Sequence, residues 1–189
     1  MRKLIYYVAA SLDGYIAAPD GSYDFLPFEG EVREAILAEY PETMPVHVRG
    51  PFGLTAVPHR HFDTVIMGRG TYEPALKAGI TSPYAHLKQY VVSRTLTPAD
   101  PEVEIVAGDP AALVRDLKKQ DGLDIWLAGG GKLAAALRDE IDELIIKQNP
   151  VVIGTGIPLF DSPFAPTGFV PTARRDFDSG VSIVTCTRK

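Results

Sequence analysis

The stretch that most limits how this chain can fold is Asp124-Ile-Trp-Leu-Ala-Gly-Gly-Gly-Lys-Leu-Ala-Ala-Ala-Leu137. The apolar run Ile125 to Ala128 reads as a buried strand, the glycines turn the chain, and an alanine- and leucine-rich helix follows from Lys132. A strand that passes through glycines into a helix suits phosphate binding. Bare backbone N–H groups can reach an anion, and a helix start adds partial positive charge. A plain tight turn of small residues fits the same letters. Two common phosphate motifs are excluded. A Walker A loop, G-x-x-x-x-G-K-[ST], needs glycine and hydroxyl residues where Trp126 and Leu133 stand. A Rossmann fingerprint lies near the first strand and needs an acid about 20 residues after its glycines, where Asn149 stands.

The chain has 189 residues, 46% hydrophobic and 23% charged, enough to bury a core as one globular domain spanning 1–189. A net charge of −5 argues against a nucleic-acid or membrane-surface partner, while leaving room for local basic sites. The single cysteine, Cys186, excludes an internal disulfide and any cysteine-based metal cluster. It sits in a Val-Ser-Ile-Val-Thr-Cys-Thr strand pattern and is expected to pack. No signal-peptide pattern and no membrane-length apolar run is present, so the expected location is the cytoplasm.

In chain order, Lys3 to Ala10 is nearly all apolar and suits a central strand covered on both faces. Ser11 to Gly21 is a loop with two Asp-Gly turns, and Glu31 to Tyr40 has helical spacing stopped by Pro41. Residues 41–61 hold four prolines and three histidines and read as a long irregular loop, functional or mobile. Further strands are expected at Phe62 to Met67, Gln89 to Ser93, Glu102 to Val106 and Glu143 to Lys147. Helices are expected from near Thr71, from Pro110 to Lys119 with Asp109 as cap, and from Lys132 to Glu140. A glycine-broken apolar loop, Val151 to Phe160, precedes a closing hairpin of 168–175 and 180–187. This order predicts a three-layer αβα domain with a central mixed, mostly parallel sheet and a C-terminal antiparallel hairpin.

Three expected strand ends carry similar loops: Gly68-Arg69-x-Thr71, Ser93-Arg94-Thr95 and Gly129-Gly130-Gly131-Lys132. Ligands of open α/β sheets bind outside the carboxyl ends of the strands. The loops together offer cations, hydroxyls and free N–H groups, which suits a ligand with several phosphates. His59-Arg-His61 lacks a ligand set beside it, so no metal is expected. No nucleophile elbow or catalytic carboxylate pair is identifiable. Few acid–base groups beside a phosphate-rich ligand suggest a cofactor that carries the reaction itself.

These residues resemble a known family. Val65-Ile-Met-Gly-Arg-Gly-Thr-Tyr-Glu73, Tyr90-Val-Val-Ser-Arg94 and Ile125-Trp-Leu-Ala-Gly-Gly-Gly-Lys132 are similar, in order and spacing, to motifs of dihydrofolate reductases. Ser11-Leu-Asp-Gly-Tyr-Ile16 looks more like stand-alone relatives of the reductase half of the riboflavin-pathway deaminase-reductase. The resemblance implies a dihydrofolate reductase-like fold and NADPH as cofactor. It implies that Gly68, Arg69 and Thr71 serve the phosphates, Ser93 and Arg94 the 2′-phosphate, and Gly129, Gly130, Gly131 and Lys132 the pyrophosphate. Ala10 and Ile16 would offer backbone groups to the nicotinamide. Leu26-Pro-Phe-Glu29 matches the family's acid motif, making Glu29 a candidate proton donor, although a glutamate at a helix start facing water fits equally.

Departures concern the substrate. Leu87 and Lys88 stand where folate enzymes keep the arginine for the substrate's glutamate tail, and the threonine that supports the acid is replaced near Lys147 and Gln148. The expectation is an NADPH-dependent reductase, not a folate reductase. It would pass hydride to a C=N or C=O bond of a small heterocyclic or pterin-like molecule. One alternative is reduction of 5-amino-6-(5-phosphoribosylamino)uracil, with Asp13, a second candidate catalytic residue beside Glu29, and basic residues of 41–61 facing the ribose phosphate. Another is a nucleotide-binding protein without turnover. A homodimer is the assembly to test.

Overall fold

The computed structural model describes residues 1–189. Its centre is an eight-stranded sheet in the order β5-β4-β3-β6-β1-β7-β10-β9. These strands are β1 (Leu4–Ala10), β3 (Phe62–Gly68), β4 (Lys88–Val92), β5 (Val103–Val106), β6 (Asp124–Gly129), β7 (Glu143–Gln148), β9 (Phe169–Asp176) and β10 (Ser182–Arg188). The first six in that order run parallel; β10 returns antiparallel to β7, and β9 antiparallel to β10. The expected architecture is therefore present, with the closing hairpin as its antiparallel edge.

Why β1 is central follows from its sequence. Alternate side chains of a strand leave opposite faces, so a strand covered on both sides must be apolar throughout. Ile5 and Tyr7 join one core with Val65, Met67, Trp126 and Ile145, covered by Val32 and Ile36 of α1 (Gly30–Glu39) and by Tyr72 of α3 (Arg69–Lys77). Leu4 and Tyr6 join the other with Ile66, Leu127 and Leu144, covered by Val114 and Leu117 of α4 (Pro110–Lys118) and by Leu133 of α5 (Gly131–Ala136). Asp109 caps α4 as expected, accepting from the Ala111 N–H at 2.9 Å. The helix expected to reach Glu140 is shorter: α5 ends at Ala136, and a 3-10 turn, Arg138–Glu140, leads into β7. None of the helices is long and apolar enough to cross a membrane.

The 41–61 segment is more ordered than its prolines suggest. It contains a 3-10 turn, Pro41–Thr43, and the short helix α2 (Val46–Arg49). Glu42 is fully buried, and its carboxylate accepts the N–H groups of Arg60, His61 and Phe62 at 3.3, 2.7 and 2.9 Å. Arg49 is buried as well, donating to the carbonyls of Pro41 and Leu54, each at 2.7 Å. Buried charges persist only when they are hydrogen-bonded, and here each is used to hold the loop. The expectation that basic residues of this loop face a phosphate is thereby corrected for Arg49, whose guanidinium is committed to backbone.

A second sheet was not legible. The strands β2 (Tyr15–Ala17) and β8 (Ile157–Pro158) pair antiparallel, joining the loop after β1 to the loop after β7. Asp13 strengthens that join, accepting from Ser11 Oγ at 2.6 Å and from the Gly154 N–H at 2.8 Å.

Candidate functional site

The carboxyl ends of the parallel strands open into one cleft of about 1310 Å³. Its two halves differ chemically. One is lined by backbone and cations from four strand ends: Gly68 to Thr71, Arg94, Gly108, and Gly130 to Lys132. The other is lined by aromatic and apolar side chains, among them Tyr7, Phe28, Tyr84 and Trp126.

In the first half, β3 runs into α3 without a loop, with Gly68 as the cap residue, and β6 runs into α5 with Gly130 as cap. Neither cap residue supplies a side-chain hydrogen bond, so the first N–H groups of both helices lack a side-chain acceptor. Gly129 has φ of +113°, a conformation that favours glycine, and the Gly129–Gly130 peptide is cis. β-carbons built at Gly129 and Gly130 would lie 3.7 and 3.8 Å from Thr71 Oγ1, so this hydroxyl sits between the two glycine turns. Arg69 donates to Thr95 Oγ1 at 3.0 Å and pairs with Glu73 at 3.1 Å. Arg94 and Lys132 are exposed in the cleft wall, and neither is held by an ion pair.

Several residues singled out from the sequence stand elsewhere. Ser93 is buried outside the cleft wall, and its Oγ accepts from the N–H groups of Thr95 and Leu96 at 3.3 and 3.1 Å. It shapes the turn that presents Arg94 instead of facing a ligand. The Ala10 carbonyl accepts from Asn149 N and Nδ2 at 2.9 and 3.0 Å, so it is not free for a nicotinamide; Ala9 lines the cleft in its place, with Ile16. Asp13 is exposed outside the cleft, and its bonds to Ser11, Gly154 and Ile153 hold its carboxyl below the usual carboxylate range. It is a loop tie, not an acid for catalysis.

Glu29 is likewise exposed and outside the cleft, at the cap position of α1 with no capping bond. Its backbone is extended, φ −150° and ψ 172°, so neighbouring side chains point to opposite sides. Leu26 and Phe28 of the motif enter the cleft, while Glu29 turns to water. Leu87 and Lys88 are also absent from the cleft wall: Leu87 is buried in a core, and Lys88 lies over the Tyr90 ring at 5.2 Å.

The titratable group that sequence reasoning missed is Lys147. It lies on β7 directly opposite Ala9 of β1, lines the aromatic half of the cleft, and is only 4% exposed. Its Nζ donates to the Pro27 carbonyl and lies 5.9 Å from the centre of the Phe28 ring. No carboxylate pairs with it, and burial pushes its pKa down to about 8. The available signal was its phase. Ile145 and Lys147 share the strand face that carries the core, so this lysine had to point inward.

The histidines do not form a metal group. His59 and His86 rings are 5.6 Å apart, His86 Nε2 is 2.8 Å from the Glu42 carbonyl oxygen, and His61 packs on Tyr40 at 4.8 Å. No three His, Cys, Asp or Glu side chains converge.

Comparison with known proteins adds to this geometry. Residues 2–175 match the RibD C-terminal domain. The uncharacterized Bacillus subtilis (strain 168) protein YwjB is 37% identical over 163 residues, covering 84% of this chain and 83% of that protein. A second uncharacterized protein of that organism, YyaP, is 26% identical over 193 residues, covering 95% and 92%. Among solved structures, a candidate riboflavin biosynthesis protein from Shewanella sp. PV-4 superposes with a TM-score of 0.72 at 25% identity over 99% of both chains. The Thermotoga maritima diaminohydroxyphosphoribosylaminopyrimidine deaminase/5-amino-6-(5-phosphoribosylamino)uracil reductase gives a TM-score of 0.65 at 16% identity, and this chain spans 57% of it.

Proposed function

The chain belongs to the RibD C-terminal domain family, whose fold is of reductase type, and we propose that it is an NADPH-dependent oxidoreductase acting on a small carbonyl or imine compound. The observation that carries this reading is the two-part cleft: strand-end N–H groups and cations along one half, aromatic side chains along the other.

The residues present fit the cofactor. The uncapped N–H groups at Gly68 to Thr71 and Gly130 to Lys132 would hold the pyrophosphate, with the Thr71 hydroxyl between them. Arg94 would take the 2′-phosphate, since a guanidinium suits a phosphate monoester and this one is free of other bonds. Ala9 and Ile16 border the place where a nicotinamide ring would meet the aromatic half. The bound cofactor would supply a hydride. The protein's part is to orient an acceptor ring among Tyr7, Phe28, Tyr84 and Trp126, and to keep water away from it.

Riboflavin-pathway reduction is a second reading, favoured by the name of the Thermotoga protein that shares the fold. It has less support from the site, because Asp13 and Arg49 are committed to loop backbone. Titration with NADPH, read from quenching of the single tryptophan, Trp126, tests the cofactor. Oxidation of NADPH with a panel of carbonyl and imine acceptors then separates an enzyme from a binding protein. We also expect a homodimer in the cytoplasm with no nucleic-acid or membrane partner, to be read from sedimentation and fractionation.

A further inference from the structure

We propose that Lys147 is the acid of this cleft, donating a proton to the carbonyl oxygen of the acceptor, and that the acceptor is a neutral or anionic planar carbonyl compound. The proposal rests on the reductase reading above and adds to it the proton source and the charge of the substrate.

The geometry carries it. Reduction of a C=O bond needs a proton at oxygen as well as a hydride at carbon. Glu29 and Asp13 stand outside the cleft. The elements around Lys147 present Tyr7 and Ala9 from β1, Ile183 from β10, Ile36 from α1, and Leu26 and Phe28 from the chain before it. The one titratable group among these is Tyr7, whose phenol burial pushes well above its ordinary value. Tyr23, His47 of α2 and Tyr84 complete the titratable side chains of the aromatic half, with Tyr23 exposed. Burial raises Tyr84 also, and His47 is exposed at the outer edge.

Lys147 therefore sits in the acceptor half as a buried ammonium without a counter-ion. An ammonium has three donors, and the Pro27 carbonyl takes one. The others have no protein acceptor, so an acceptor's oxygen is the group that completes the shell. As hydride reaches the carbonyl carbon, the C=O π pair passes to oxygen, an Nζ–H bond breaks and an O–H bond forms. Lys147 is left as a neutral amine and regains its proton from water. The carbonyl compound gains two electrons and the nicotinamide loses two. A cationic acceptor would be repelled by the same ammonium in this low-dielectric pocket, which sets the charge of the substrate.

The test is reductive labelling of the whole protein with 4-nitrobenzaldehyde and cyanoborohydride from pH 6 to 10, read by peptide mass spectrometry. A lysine poised in an acceptor pocket is expected to label about tenfold or more faster than the exposed Lys77 at pH 8, with its half-maximal rate near that pH. Labelling should persist with NADPH bound, because the amine lies in the other half of the cleft. Lys147→Met should bind NADPH within about twofold of the parent. Labelling of Lys147 no faster than of Lys77 overturns the proposal, as does loss of NADPH binding on labelling. Failure of the parent to bind NADPH at all would instead overturn the cofactor reading, whatever the reactivity of Lys147.

Discussion

Gly131 lies against Pro158 so closely that a β-carbon on Gly131 would overlap the Pro158 carbonyl oxygen. The contact joins the glycine turn after β6 to the loop that carries β8, and the Asp161 N–H donates to the Gly131 carbonyl at 3.1 Å. The third glycine thus serves two ends, leaving its N–H side open to the cleft and its α-carbon free to receive the loop.

Gly131→Ala must displace backbone, not a flexible side-chain tip. The expected cost is about 1–3 kcal/mol, the usual range for overpacking. NADPH affinity should fall with it, since the Gly130–Lys132 turn moves. Thermal unfolding and cofactor titration of the variant check both effects. An unchanged melting temperature with unchanged affinity would show that the loop yields freely.

Glu42→Ala leaves the N–H groups of Arg60, His61 and Phe62 without their acceptor, the last of them buried and the other two partly buried. The expected loss of stability is about 2–4 kcal/mol in denaturant unfolding. NADPH affinity should stay near that of the parent, because Glu42 is not in the cleft wall.

Burial of Lys147 also gives stability a pH dependence. Its ordinary pKa is 10.5 and its folded value about 8, so between these values the unfolded chain binds more protons. Stability should therefore rise with pH across that window, and the group's cost is constant below it. Lys147→Met should abolish the rise and gain on the order of 1–3 kcal/mol at pH 7. With an acceptor that the parent turns over, kcat should fall above about pH 8 as the ammonium is lost. In Lys147→Met it should drop by about 100-fold or more.

Glu29→Gln should leave kcat within about twofold of the parent, as for a surface substitution. Steady-state rates with the same acceptor read this directly. A 100-fold loss, the usual size of a general-acid effect, would mean that the start of α1 rearranges to bring Glu29 into the cleft.

The parallel sheet was legible because β1 is apolar throughout and β3 and β6 carry the apolar runs Val65 to Met67 and Ile125 to Ala128, which a doubly covered strand requires. The half of the cleft lined by strand-end backbone and cations was legible because glycines and cations follow those runs directly. What failed was the assignment of direction. Whether Glu29 or Phe28 enters the cleft depends on an extended backbone just before α1, and whether Ser93 faces a ligand depends on a turn that its own hydroxyl closes. Asp13 was misread because its partners, Ile153 and Gly154, lie about 140 residues away and meet it only through the β2–β8 pairing. Lys147 stands near the place of the family's threonine, and nothing in its identity marks it as inward-facing; only its strand phase with Ile145 does.

The most direct measurement is a paired titration of the parent and Arg94→Ala with NADPH and NADH, read from Trp126 fluorescence or by calorimetry. Arg94 stands free in the cleft wall, at the end of β4. The predicted result is tighter binding of NADPH than of NADH by about 1–3 kcal/mol, the worth of a charged hydrogen bond, with most of that difference lost in Arg94→Ala. Equal affinity for the two nucleotides in the parent would contradict the 2′-phosphate role of Arg94. Absence of measurable binding of either would contradict the assignment of this cleft to a nicotinamide cofactor.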